Sequence, residues 1–393
     1  MDPRKPARLP GLETGGISKD RGSAEPVIAF FIQDLREGGA ERNVARLLNG
    51  IVARGIPVEL VVIERRGSFF SELDPRVRVV ELPQKRTITS VLGLRRYIEQ
   101  RRPLALISSL THTNVAAILA NASVAHPTRL VVVERNQFST NRELKRGLVR
   151  LAYGLVPWLY RRADLIGAVS SGVRDDLAET TGLPADRVAV LYNPVVSDGL
   201  AARAAEPVDH PWLQGSGVPV IVGLGRLSRQ KNFPLLLEAF ALARRERAMR
   251  LIILGEGGLR GELEAQAERL GVADDVDLPG FDANPFRYLS RAALYVLSSD
   301  WEGLPTALIE AMACGTPVVA TDCQSGPREI LLDGKLGPIV PRGDPEALSG
   351  AILSILNDPG DSGPRIARAK EFSLDRAVDR YLEISGWTEE FGP

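Results

Sequence analysis

Two glutamates near the start of one predicted helix have the spacing that best suits a chemical role. Pro305 suits the first turn of this helix and Gly315 its end, while Glu302 precedes the helix and Glu310 lies inside it. The free N–H groups and the dipole of a helix N-terminus favour an anion such as a diphosphate. Pro305 to Glu310 is a rise of about 7–8 Å. The two carboxylates could therefore accept hydrogen bonds from hydroxyl groups on either side of that anion. A nucleotide-sugar has this layout, with a hexose, a diphosphate and a ribose in that order. The alternative makes Glu302 a partner of the helix dipole and Glu310 a solvated helix residue.

A loop with two cations follows the strand predicted at 218–224. Arg226 and Lys231 would face a leaving diphosphate, because Arg offers a planar fork of donors and Lys a compact point charge. Such cations stabilise the charge that develops when a bond to phosphate breaks. The alternative is a solvated basic turn, because Arg229 lies between them and not all three side chains can point inward.

The elements that would position these residues alternate along the whole chain. Short β-branched runs alternate with helical patterns, which predicts parallel α/β layers whose ligands lie beyond the carboxyl ends of the strands. Residues 193–217 break the alternation with three prolines and few strand formers. The pattern predicts the following organisation: a flexible tail at 1–24, an N-terminal domain at 25–196, a linker at 197–217, a C-terminal domain at 218–373, and a final helix at 374–390 that packs back on the N-terminal domain.

Charge is divided unevenly between the halves. Residues 1–200 carry 29 Lys+Arg against 21 Asp+Glu, whereas residues 201–393 carry 20 against 28. A basic first half predicts an anionic partner such as phospholipid or a phosphorylated acceptor, and the alternative is a solvated Arg-rich surface. The segment 144–162 mixes Leu, Val, Trp158 and Tyr160 with five basic residues, so it suits an anionic membrane interface. Its alternative is a buried helix with a basic rim.

Cysteine and histidine usage points away from disulfides and metal sites. Cys314 and Cys323 lack CxxC spacing, which fits a reducing compartment, and the three histidines are scattered along the chain. The Asp-x-Asp at 275–277 falls in a predicted strand, and we interpret it as structural. No apolar run reaches the ~20 residues of a membrane span, and residues 1–24 lack the apolar core of a signal peptide. We therefore expect a cytoplasmic protein, peripheral on the membrane if 144–162 binds lipid, that needs no metal and no cofactor.

These motifs together resemble one known family. The GR…K loop at 225–231, LPGF at 278–281, and the segment that begins EGLP at Glu302 and continues EAMACGTPVVATD stand in the order found in the retaining glycosyltransferases of family four. The resemblance covers nearly the whole chain. It implies the GT-B fold, an α/β architecture in which two Rossmann-like, doubly wound parallel-sheet domains face a central cleft.

The resemblance also implies roles for the residues that match the family motifs. Arg226 and Lys231 would bind the donor diphosphate, Glu310 the ribose and Glu302 the transferred sugar. Further donor contacts would come from Gly303, Leu304, Pro305 and Phe281. Catalysis would be a front-face displacement without a dedicated protein base, in which the leaving phosphate assists proton removal.

The N-terminal half offers weaker candidates for the acceptor side. Gly38 and Gly39 open a helix after the first strand and would let the backbone approach a ligand, or they form a plain turn. GGAER, beginning at Gly38, resembles family members that extend lipid-linked oligosaccharides or surface polysaccharides. His112 follows a strand where family members often carry a functional residue opposite the donor, so the resemblance makes it a candidate catalytic residue that contacts the sugar's 6-hydroxyl group or the acceptor. The alternative is a hydrogen-bonded loop histidine. Glu134 also follows a strand and would bind acceptor or serve the fold.

The implied activity is transfer of a hexose or N-acetylhexosamine from a nucleoside-diphosphate sugar, UDP-linked, to a glycan or lipid-linked acceptor. We expect no nucleic-acid partner. One rival is a sugar-nucleotide epimerase or phosphorylase of the same fold, which would need extra carboxylates in the first half or a lysine Schiff base. A second rival is a catalytically silent nucleotide-sugar-binding scaffold, against which the set of Arg226, Lys231, Glu302 and Glu310 argues.

Overall fold

The computed structural model describes residues 26–36, 38–144, 147–215 and 217–388. The tail predicted at 1–24 lies outside these ranges. The chain divides into two compact units: Met1–Pro194 together with Leu374–Pro393, and Val195–Ser373. Among the described residues, no helix is long and apolar enough to cross a membrane.

The first unit contains a parallel sheet whose strand order, among the described residues, is β3-β2-β1-β4-β5-β6-β7. Its central strands β1, β2 and β4 are buried along their full length, because helices cover both faces of such a sheet. The strands are β1 (Ile28–Ile32), β2 (Val58–Val62), β3 (Arg78–Glu81), β4 (Ala105–Ser109), β5 (Arg129–Glu134), β6 (Leu165–Ala168) and β7 (Val188–Val190). The helices before residue 195 are α1 (Gly39–Ala53), α2 (Thr87–Arg101), α3 (Thr111–Ala122), α4 (Phe138–Leu144), α5 (Gly147–Leu159) and α6 (Ser171–Thr181).

The second unit repeats this plan with a parallel sheet in the order β10-β9-β8-β11-β12-β13 among the residues described. Its strands are β8 (Val220–Leu224), β9 (Arg250–Leu254), β10 (Val276–Gly280), β11 (Leu294–Leu297), β12 (Val318–Thr321) and β13 (Ile339–Val340). Its helices are α7 (Leu200–Ala205), α8 (Phe233–Glu246), α9 (Arg260–Leu270), α10 (Phe286–Leu289), α11 (Thr306–Ala313), α12 (Pro327–Ile330), α13 (Pro345–Asn357) and α14 (Gly363–Ala369). The prediction of two parallel-sheet α/β domains is confirmed.

The last helix, α15 (Leu374–Ser385), returns to the first unit. Gly50 of α1 allows the close approach, since a Cβ there would lie 2.8 Å from Cγ2 of Val378. Arg54 forms ion pairs with Asp375 and Asp379 of the returning helix. Helix α15 therefore packs on α1 through both apolar contact and charge.

The segment predicted as a linker, 197–217, folds with the second unit instead of standing alone. Helix α7 lies within it, and Asn284 donates a hydrogen bond to the carbonyl of Arg203 at 2.9 Å. His210 accepts from the backbone N–H of Trp212 and pairs with Asp277 at 2.9 Å. Of the prolines that suggested a linker, Pro211 begins a 3₁₀ turn within this packed segment.

Candidate active site

The strand order of the second unit reverses between β8 and β11, and the two loops with predicted donor ligands leave the sheet there. Ligands of doubly wound sheets bind at such a switch point, beyond the carboxyl ends of the strands. The loop after β8 carries Lys231, and the loop after β11 carries Glu302. Lys231 Nζ lies 2.5 Å from Glu302 Oε1, with only 18% and 7% of the two side chains exposed.

Side-chain and backbone hydrogen bonds fasten the two loops to each other. Ser298 Oγ donates to the carbonyl of Lys231 at 2.8 Å, and Asn232 Nδ2 donates to Asp300 Oδ1 at 2.9 Å. Gln230 donates through Nε2 to the carbonyl of Trp301 at 3.0 Å. Asn232 also caps helix α8, since its Oδ1 accepts from the N–H of Leu235. The cation and the carboxylate therefore lie on two loops that are hydrogen-bonded to each other, 230–232 and 298–302, which we call the platform.

Glycines let neighbouring loops come close enough to support this platform. Gly225 has a φ of +153°, and a Cβ there would lie 2.8 Å from Cε of Lys231, so the lysine stem runs directly over this backbone. Gly255, with a φ of +139°, lies so near the carbonyl of Gly225 that a Cβ would come within 2.0 Å of it. A Cβ on Gly257 would likewise meet the Leu227 carbonyl at 2.3 Å. Larger residues at these positions would push the loops apart.

Helix α11 begins at Thr306, one residue after the predicted first-turn position, with Pro305 as its N-cap residue. Leu304 and Pro305 are buried, and so is Glu310, which is 4% exposed inside the helix. Gly326, in the loop after β12, has a φ of +96°, and a Cβ there would lie 2.2 Å from Cδ of Pro305. This loop therefore fixes the start of α11.

The site residues in the second unit differ in their exposure. Arg226 is exposed on the loop that carries Lys231, and Gly303 is buried in the loop that carries Glu302. Phe281, which follows β10, is 61% exposed, so its ring is accessible to a ligand. The structure thus brings Lys231 and Glu302 into contact and leaves the roles of Arg226 and Phe281 as predictions.

Two buried acids, Glu302 and Glu310, and the buried thiol of Cys323 lie near Tyr295 on β11. Burial, with the nearby carboxylates of Glu302 and Glu310, raises the pKa of the Tyr295 phenol well above its usual value. Burial likewise raises the pKa of Cys314 and of Cys323 to about 12, with Glu310 and Glu302 as the respective neighbouring charges. These thiols stay protonated at neutral pH, so they are poor nucleophiles.

The acceptor-side candidates lie in the first unit. Gly38 is the N-cap residue of α1, and a Cβ there would collide with the carboxylate of Glu41, 2.1 Å away. Gly39 begins the helix, in open space. His112 is the second residue of α3 and is partly buried. Their roles remain predictions.

Glu134, at the end of β5, is 1% exposed. Its carboxylate accepts hydrogen bonds from Tyr160, from Thr111 at 3.0 Å and from Asn114 at 3.3 Å. Burial raises the pKa of Glu134 to about 7, although the three donors act in the opposite direction. The carboxylate thus ties β5 to α3 and to the turn after α5, and its predicted contact with an acceptor remains untested.

The two aspartates of the Asp-x-Asp bind different side chains. Asp275 ends a 3₁₀ turn before β10, instead of lying in the strand as predicted, and its Oδ2 accepts from Arg244 at 2.8 Å. Asp277 lies in β10 and pairs with His210. Within the described ranges, no group of three or more His, Cys, Asp or Glu side chains could hold a metal ion.

The N-terminal and the C-terminal parts of the chain each match a known protein family. The family model of glycosyl transferases group 1 matches residues 210–372, and that of Glycosyltransferase Family 4 matches residues 37–198. The chain is 30% identical over 340 residues to the N-acetylgalactosamine-N,N'-diacetylbacillosaminyl-diphospho-undecaprenol 4-alpha-N-acetylgalactosaminyltransferase of Campylobacter jejuni, a match that covers 84% of this chain and 90% of the relative. This chain is a glycosyltransferase of family four.

Two further comparisons support this glycosyltransferase assignment and its fold. A second Campylobacter jejuni relative, GalNAc-alpha-(1->4)-GalNAc-alpha-(1->3)-diNAcBac-PP-undecaprenol alpha-1,4-N-acetyl-D-galactosaminyltransferase, is 26% identical over 376 residues, 91% of this chain and 97% of its own. Anabaena HepE, solved with UDP and glucose, superposes with a TM-score of 0.78 at 20% identity over 93% of this chain and 100% of that protein. The glycosyltransferase thus has the GT-B fold.

Sequence reasoning missed several residues that support the loops of Lys231 and Glu302. Gln230, Ser298 and Ser299 make no motif of their own, and only their contacts show what they support. The Gly-rich loop at 255–258 offered a signal, because glycines directly after a strand often mark close approach of backbone.

Proposed function

We propose that this glycosyltransferase is a retaining enzyme that transfers a hexose or N-acetylhexosamine from a UDP-linked sugar to a lipid-linked glycan. The observation that carries the proposal is the Lys231–Glu302 pair at the switch point of the second sheet, directly before α11. It places a cation beside a carboxylate that can accept hydrogen bonds from hydroxyl groups of a sugar. Buried Glu310, farther along α11, supplies a second carboxylate that can accept hydrogen bonds.

In this proposal each donor group has its own ligand. Lys231, Arg226 and the N-terminal N–H groups of α11 stabilise the diphosphate, on which negative charge grows as the glycosidic bond breaks. Glu302 accepts hydrogen bonds from hydroxyl groups of the transferred sugar, and Glu310 accepts them from those of the ribose. As the bond from the sugar's anomeric carbon to the phosphate breaks, the acceptor oxygen bonds to that carbon from the same face and gives its proton to the leaving phosphate, so the anomeric configuration is retained.

These cations fill the role that a divalent metal has in other glycosyltransferases. The pairing of Asp275 with Arg244, and of Asp277 with His210, supports a structural role for the Asp-x-Asp. We expect transfer to proceed in EDTA. Loss of activity in EDTA with recovery in Mn²⁺ would make the two aspartates candidate ligands again.

The acceptor proposal draws on the names of the relatives, which specify diphospho-undecaprenol-linked glycans. Such an acceptor lies in a membrane, and helix α5 presents a suitable surface. Leu155 and Trp158 are 51% and 73% exposed, and Arg161 stacks over the Trp158 ring at 5.9 Å. Lys145 and Arg146, which belong to the same basic segment, lie outside the described residues.

Vesicle binding tests this membrane surface. We expect the protein to bind anionic vesicles, to bind them less as salt rises, and to lose binding in Leu155→Ser/Trp158→Ser because the apolar anchor is gone. Leu332→Ser is the matched control, since Leu332 is 41% exposed but belongs to the second unit. Equal binding by the α5 variant and the control would remove α5 from the proposal.

The donor proposal is tested with a panel of UDP-, GDP- and ADP-sugars. We expect one UDP-sugar to raise the melting temperature and to be hydrolysed slowly without acceptor. Transfer to a lipid-diphosphate glycan should give a product with the anomeric configuration of the donor, measured by NMR. An inverted product would refute the retaining mechanism, and binding without turnover would favour the silent scaffold.

A further inference from the structure

Glu302 uses its two carboxylate oxygens very differently. Oε1 accepts from Ser299 Oγ at 2.7 Å and from Lys231 Nζ at 2.5 Å. Since a carboxylate oxygen has about two acceptor positions, Oε1 is filled. Oε2 has a single contact among the described residues, with Gln230 Nε2 at 3.5 Å, the outer limit of a hydrogen bond. Oε2 is therefore the oxygen with capacity for a ligand.

Ser299 is itself fixed from below. It is fully buried, and its carbonyl accepts from Thr321 Oγ1 at 2.6 Å. Thr321 ends the neighbouring strand β12 and is also fully buried. Because the Ser299 backbone is held by Thr321, its hydroxyl group donates to Glu302 from a fixed position, and the carboxylate cannot rotate without losing that bond.

Ser298, the residue before Ser299, fixes the backbone of Lys231. Ser298 Oγ donates to the carbonyl of Lys231 and is 1% exposed. Of the two consecutive serines after β11, Ser298 therefore holds the backbone of Lys231, and Ser299 holds the carboxylate of Glu302 that pairs with it. Each reaches a different loop of the same platform.

We propose that Ser299 is a positioning residue, which fixes Oε1 of Glu302 so that Oε2 meets a hydroxyl group of the transferred sugar. Ser298 correspondingly sets Lys231 for the diphosphate. This inference rests on the proposed function, since it assigns Glu302 to the sugar. It adds which oxygen binds the sugar and which side chain orients it.

The variants Ser299→Ala, Glu302→Ala and the double variant test the assignment. Loss of a hydrogen bond to a charged group corresponds to roughly a ten- to hundredfold change, and we expect Ser299→Ala to lower kcat by that factor with unchanged UDP affinity. In the Glu302→Ala background the same replacement should have little further effect, because Ser299 acts through Glu302. Ser299→Thr keeps the hydroxyl and should recover most of the rate.

The matched control is Ser90→Ala. Ser90 is also fully buried and donates to a backbone carbonyl, that of Thr87 at 2.6 Å, in α2 of the first unit. It should melt as Ser299→Ala does but keep kcat. An equal loss of rate from Ser299→Ala in both backgrounds, or a parallel loss of UDP affinity, would overturn the proposal, since either result means a general structural defect.

A binding measurement separates this inference from the proposed function. Calorimetry with UDP and with UDP-sugars gives the ratio of the two affinities for each variant. We expect Ser299→Ala to reduce the preference for the UDP-sugar, and Ser90→Ala to leave it unchanged. If the unaltered protein prefers a UDP-sugar but transfers nothing, the proposed activity fails and this ratio still decides the role of Ser299. A preference unchanged in Ser299→Ala would refute that role.

Discussion

Replacing Lys231 by Met removes the cation beside Glu302 and keeps the stem that crosses Gly225. Removal of one partner from a buried ion pair costs about 3–5 kcal/mol, because the other charge stays buried without compensation. Because 18% of the Lys231 side chain is exposed and solvent screens the pair in part, we expect a loss smaller than that range, about 2–3 kcal/mol. For a unit of this size that lowers the melting temperature by about 4–12 °C.

The double variant Lys231→Met/Glu302→Gln separates stability from ligand binding. With no charge left in the pair, the melting temperature should return most of the way toward that of the unaltered protein. UDP affinity should stay reduced by roughly ten- to a hundredfold, because the diphosphate has lost a charged donor. Differential scanning calorimetry and isothermal titration with UDP measure the two effects.

Arg229→Met is the matched control for Lys231→Met. Arg229 belongs to the same basic turn but is exposed, so its replacement should leave the melting temperature unchanged and UDP affinity within a few fold. If Lys231→Met melts like the control, the pair does not compensate a buried charge. If both variants bind UDP equally well, the basic turn is only a solvated surface, as one interpretation of the sequence had it.

Three further results are expected. Gly326→Ala should lower both melting temperature and kcat, because the new Cβ would lie 2.2 Å from Pro305 Cδ; Gly343→Ala, at a φ of +71° with open space around it, should show only backbone strain. Glu134 has a pKa raised from 4.5 to about 7, so the stability it contributes is fully present below pH 4.5 and is lost as pH rises through 7. Urea unfolding of Glu134→Gln should lack that decline of at most about 3 kcal/mol, and an unchanged pH profile would refute the shift. Asp277→Asn should leave transfer unaltered in EDTA and in Mn²⁺; loss of activity restored by excess Mn²⁺ would contradict a structural role.

The sequence predicted the two-domain fold because short β-branched runs and helical periodicity mark most of its buried elements. Strands β7 and β13, of three and two residues, were missed because such short runs carry no pattern. Helix α7 was predicted as part of a linker because contacts with residues distant in the sequence, and not its own composition, stabilise it. Arg203 donates to the carbonyl of Ala283, 80 residues away, a contact that local composition cannot reveal.

The sequence nominated the candidate site residues but could not predict which of them contact each other. Proline, glycine and the two glutamates indicated α11 and its ligands, because capping and spacing are local properties. The contact between Lys231 and Glu302 joins residues 71 apart in the chain, so it follows only from the strand order. Glu134 likewise follows a strand, yet its hydroxyl partner Tyr160 stands 26 residues farther on and occupies the carboxylate.

The orientation of the donor along α11 is the central claim, and UDP affinity of Glu302→Ala and Glu310→Ala beside their steady-state kinetics tests it most directly. Glu310→Ala should weaken UDP binding by roughly ten- to a hundredfold, because the ribose belongs to UDP itself. Glu302→Ala should bind UDP as well as the unaltered protein or better, since Lys231 is released from its partner, while kcat falls because Glu302 stabilises the reacting sugar. If Glu302→Ala loses UDP affinity and Glu310→Ala keeps it, the donor lies along the helix in the opposite direction.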